Sequence, residues 1–62
     1  MLYAIVLYKD GVMVLKRPWA GLLSAGEKRA LEYMDAHGAD RVEVIDDATG
    51  ILRFSHPKEP RP

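Results

Sequence analysis

Leu2–Lys16 reads LYAIVLYKDGVMVLK. Two runs rich in Val, Ile, Leu and Tyr, residues 2–8 and 12–16, meet at Asp10-Gly11, a dipeptide suited to a two-residue type I′ turn because both central positions take positive φ. The stretch predicts a β-hairpin in which Lys9 opposes Val12, Tyr8 opposes Met13, Leu7 opposes Val14 and Val6 opposes Leu15. Side chains alternate across a strand, so one face should carry Tyr3, Ile5, Leu7, Val12 and Val14, and the other Leu2, Ala4, Val6, Tyr8, Met13 and Leu15. Both faces are apolar.

Working outward, Ser24 followed by Glu27 has the spacing of a capping box, which predicts a helix from about Ala25 to His37 with Gly38 as its left-handed stop. At 100° per residue, Ala30, Leu31 and Met34 share one side with Tyr33 and His37 at its margin, while Lys28, Arg29, Glu32 and Asp35 occupy the other. That stripe is thin, and Leu22 and Leu23 extend it toward the sheet. Residues 41–46, RVEVID, and 51–55, ILRFS, flank Asp47-Ala48-Thr49-Gly50, a type I turn closed by a left-handed glycine, and predict a second hairpin. Val42, Val44, Leu52 and Phe54 should point one way, and Arg41, Glu43 and Arg53 the other, with Ile45 and Ile51 among them.

The order ββαββ predicts an α+β fold, a four-stranded, mainly antiparallel sheet with one helix on one face. It spans a single domain, residues 1–55. Residues 56–62 hold three of the four prolines and no apolar periodicity, which predicts an extended, solubilising tail. The stretch ALEYMDAHGADRVEVIDDATGILRF, Ala30–Phe54, resembles the helix and closing hairpin of several short bacterial domains. That likeness rests on turn and core residues and implies no catalytic group.

One helix covers one face of a sheet, whereas the first hairpin is apolar on both. Either Tyr3, Ile5, Leu7, Val12 and Val14 or the opposite set is therefore left over, and the first set is taken as the candidate contact surface for a second copy or another macromolecule. The competing expectation is that Trp19, Leu22 and Leu23, in the connection between Lys16 and Ser24, fold back and close the free face. A chain of 62 residues has a marginal core and needs support. With no cysteine, disulfides and thiolate metal sites are excluded, which leaves a partner subunit.

Nine Lys and Arg balance nine Asp and Glu, so no overall positive field marks a nucleic-acid or membrane binder. Lys16, Arg17 and Trp19, extended by Lys28, Arg29 and Arg53 if these share a side, form the alternative candidate, a stacking and phosphate-binding patch. The apolar opening MLYAIVLY is too short for a membrane span and has no basic segment before it, so the expectation is a cytoplasmic protein. The sequence also lacks Asn and Gln, a depletion associated with heat-adapted proteins.

Catalytic, metal and cofactor signatures are not expected. Ser24 is accounted for by its capping role, and neither His37 nor His56 has a ligand-spaced partner. Asp46 and Asp47 suit a turn whose amides they accept, and Gly21 and Gly26 give no phosphate-binding loop. The function expected from the sequence is a non-enzymatic accessory protein, bacterial or from a phage, that acts as a homodimer and recruits a macromolecule.

Overall fold

The computed structural model describes residues 2–57. Its elements are β1 (Leu2–Lys9), β2 (Val12–Ala20), α1 (Leu23–Ala36), β3 (Arg41–Asp46) and β4 (Leu52–His56). The four strands form one sheet in the order β2-β1-β3-β4, and every neighbouring pair is antiparallel. This is the expected ββαββ arrangement, with β1 and β3 central.

Asp10 and Gly11 have φ of 54° and 79°, the two positive values that a type I′ turn demands. From there the register departs from expectation. Tyr8 pairs with Met13 as predicted, but Leu7 pairs with Leu15, because Val14 is an extra residue in a β-bulge. Leu15 thereby moves to the face of Ile5 and Leu7, while Val14 is left exposed. Beyond it β2 continues to Ala20, four residues past its predicted end, so Lys16, Arg17, Pro18 and Trp19 are strand residues. Pro18 is tolerated because β2 lies at the border of the sheet.

The helix packs on the face that carries Tyr3, Ile5, Leu7, Val42 and Val44, all buried, with Ala30 against them. Tyr3, Ile5 and Leu7 are therefore core residues and do not form a contact surface, and Val12 and Val14 are exposed beside the hairpin turn. The helix selects this set because it offers the larger side chains, whereas the opposite side of β1 presents Ala4 and Val6 at its centre.

The predicted capping box is not formed. Helix α1 starts at Leu23, two residues early, and its N-cap, Leu22, makes no side-chain cap. Leu23, partly buried, packs against the core from within the helix. Trp19 secures the entry, its Nε1–H donating to the Leu22 carbonyl at 3.0 Å. The helix end follows the prediction. Gly38 has φ of 64°, and Gly38 and Ala39 donate to the carbonyls of Asp35 and Met34, a Schellman closure.

In the second hairpin Asp46 is buried and accepts from the amides of Ala48 (2.9 Å) and Thr49 (3.3 Å), and Gly50 takes a φ of 76°. A second bulge places Leu52 opposite Ile45, so Arg53 is the extra residue and Leu52 leaves the core side to which the sequence assigned it. Phe54 stays there, partly buried. His56, expected in the tail, pairs with Val42 within β4, and the tail expectation otherwise lies outside the described residues from Lys58 onward.

Candidate functional site

The sheet face opposite α1 has no element over it among the described residues. Three cross-strand rows compose most of it, with Leu2 and Ala20 paired at one end. Met13, Tyr8 and Arg41 form the first, Lys16, Val6, Glu43 and Ser55 the second, and Pro18, Ala4, Ile45 and Leu52 the third. Ala4 and Val6 are small and form the floor of a trough of about 300 Å³, walled by Tyr8, Met13, Lys16 and Ile45 and closed at one end by the Asp46, Asp47 and Gly50 turn. Flanking side chains shield the floor; of the walls, Met13 and Lys16 are exposed and Tyr8 and Ile45 are half-buried. Met13 is 55% exposed, and Leu2 and Leu52 are 49% and 48% exposed.

The segment expected to close this face does not do so. Trp19 pairs with Tyr3 and packs on the helix side, Leu23 joins the core, and Leu22 is 75% exposed. The face is also partly polar. The Arg41 guanidinium meets Glu43 Oε2 at 3.2 Å through both Nε and Nη2, and Nη1 donates to the Pro57 carbonyl at 3.4 Å. The Tyr8 hydroxyl has its pKa raised above the ordinary value, first by burial and then by the Glu43 carboxylate, with Arg41 opposing. This cluster fixes Glu43 beside the trough as a placed negative charge.

The alternative cationic patch is brought together only in part. Lys16 lies on the open face, Arg17 pairs with Ile5 on the helix side, and Arg53 belongs to β4 at the far border, roughly 14 Å away across three strand spacings. Arg53 instead approaches Asp46 at 3.8 Å. The Trp19 indole rests on Gly26, where a Cβ would come within 2.7 Å of Cδ1. Its outer side shares a shallow depression of about 250 Å³ with Ala25, Lys28, Arg29 and Glu32, and Arg29 is paired with Glu32 at 3.5 Å.

His37 caps the helix end and meets Tyr33 edge-on, with ring centroids 6.2 Å apart. His56 lines a separate depression with Leu31, Met34 and Asp35. Among the described residues no three metal-capable side chains gather. Ser24 lies within α1. No helix among the described residues is long and apolar enough to cross a membrane. No family model, curated protein or solved structure matches the chain.

The residues of this face that the sequence reading did not group are Arg41, Glu43, Ile45 and Leu52, brought beside Met13, Tyr8 and Lys16 by the β1–β3 pairing and the two bulges. The strand order was the missing signal, because a strand pattern does not reveal its neighbours.

Proposed function

We propose that this chain is a non-enzymatic interaction protein of the bacterial cytoplasm that acts as a homodimer through the open face of its sheet, its remaining surface recruiting a macromolecule. One observation carries the reading. Among the described residues nothing covers the face, and the connection that was its alternative cover is itself strand, helix-side tryptophan and exposed leucine.

Leu2, Met13 and Leu52 are about half exposed and Ile45 is partly exposed. At about 25 cal/mol per Å² of apolar area, removing several such side chains from water contributes several kcal/mol, a sizeable fraction of the 5–15 kcal/mol typical of a whole domain. A twofold pair is the simplest way to achieve this, since the same patch serves both copies.

Sedimentation equilibrium tests the reading. A species of twice the 7.0 kDa chain mass at micromolar concentration is expected, and a folded monomer at every concentration up to the millimolar range overturns it. The second reading, nucleic-acid contact, is favoured by the depression in which Lys28 and Arg29 flank the Trp19 indole. Titration with single-stranded RNA or DNA at low salt should then change Trp19 fluorescence, and an unchanged signal removes it.

A further inference from the structure

The middle row of the open face runs Lys16, Val6, Glu43 across β2, β1 and β3, a cation, an apolar centre and an anion. Within this row charge changes sign across β1, although Arg41 in the neighbouring row of β3 is already paired with Glu43. We propose that the partner on this face is a second copy stacked with its twofold axis running along β1, so that Lys16 of each copy pairs with the partner's Glu43. The proposal rests on the homodimer reading above and adds the orientation.

A twofold axis between two stacked sheets and parallel to β1 carries β2 of one copy over β3 of the other without changing height along the strands. Lys16 then stands over the partner's Glu43, and Glu43 over the partner's Lys16. Within β2, β1 and β3 the other rows also match, while β4, with Ser55 and Leu52, extends past the partner's β2. Pro18 meets the partner's Ile45, and Met13 meets the partner's Arg41, where an unbranched thioether can lie along an arginine stem or turn into the trough.

The competing axis, running across the strands at the same row, sets Lys16 on Lys16 and Glu43 on Glu43. Like charges facing each other in an interface are strongly unfavourable. Stacked sheets lie about 10 Å apart, a gap that a lysine and a glutamate span together, and the aligned packing keeps strand directions within about 30°. Glu43 is already held in place by Arg41, so little freedom is lost when it receives a lysine.

Charge reversal on the full chain tests the orientation. Lys16→Glu and Glu43→Lys each place like charges twice in a homodimer, and each should weaken it by about tenfold or more. Mixed together, the two variants should form a heterodimer of near wild-type affinity, since both pairs are then restored. Lys16 is exposed on β2, and circular dichroism of each variant separates a folding defect from an association defect.

Glu43→Lys puts a cation beside Arg41, so a measurement independent of variants accompanies it. Carbodiimide coupling in a mixture of isotope-labelled and unlabelled wild-type chains should yield a Lys16–Glu43 amide joining labelled to unlabelled chain. A wild-type monomer defeats the homodimer reading itself. A wild-type dimer that lacks the mixed-label amide and is unaffected by Lys16→Glu overturns the orientation alone.

Discussion

At Gly26 two opposing effects meet. Alanine is the better helix former by about 1 kcal/mol, but its methyl would come within 2.7 Å of the Trp19 ring, which is tied by Nε1 to the Leu22 carbonyl. Displacing the indole costs its hydrogen bond and packing, together about 2–3 kcal/mol, so Gly26→Ala should destabilise by about 1–2 kcal/mol in urea unfolding. In a Trp19→Ala background the same change should instead stabilise by about 0.5–1 kcal/mol, and failure of the sign to reverse would refute the contact. Tyr8 supplies a pH dependence. Its folded pKa is raised above 10.0, so its contribution is fully present below that pH and is lost as pH rises through the folded value. Urea midpoints measured from neutral pH to pH 11 should fall more steeply for wild type than for Tyr8→Phe.

At the scale of elements, the bulge at Val14 governs which residues reach the core. Deleting Val14 leaves Leu15 opposite Leu7 and Trp19 opposite Tyr3, so the shortened chain should fold with a loss of about 1 kcal/mol or less, whereas deleting Lys16 shifts Trp19 to the wrong face and should abolish the cooperative transition. Gly38→Ala tests the helix end. No neighbouring atom obstructs the new methyl, so only the left-handed backbone opposes it, and a loss of about 1 kcal/mol in thermal or urea unfolding is expected. These features also explain what was legible in the sequence. Asp10-Gly11, Gly38 and Gly50 announce their turns because few residues adopt positive φ, and from those turns the element order follows. The bulges carry no such mark, since Val14 and Arg53 are ordinary strand residues, and each reversed the facing of a neighbour that alternation had assigned. Ser24 and Glu27 had cap spacing, yet the helix starts ahead of both at Leu23, which packs against the core. Leu2, Ala4, Val6, Tyr8 and Met13 were legible as one of the two apolar sides of the first hairpin, but Arg41, Glu43, Ile45 and Leu52 were not legible beside them, because that depends on β3 lying beside β1.

For the whole molecule, coupling between distant segments matters most. The Asp40 carboxylate accepts from the Asp10 amide at 2.9 Å, and the Asp40 amide donates to the Tyr8 carbonyl at 3.0 Å, so the first turn is bound to the loop that enters β3. Asp40→Ala should therefore lower the stability of the entire fold by about 1 kcal/mol in a single transition seen alike by tryptophan fluorescence and circular dichroism. The proposed homodimer adds a concentration dependence: the thermal midpoint should climb with protein concentration, and a midpoint constant over a hundredfold range would contradict it. Pro18 has one more effect. It has no amide hydrogen to offer an incoming strand, and Lys16 and Arg17 stand next to it. Lateral recruitment of further chains along β2, the route toward fibrils, is hindered toward the C-terminal end of the strand, which biases this small sheet toward finite assemblies.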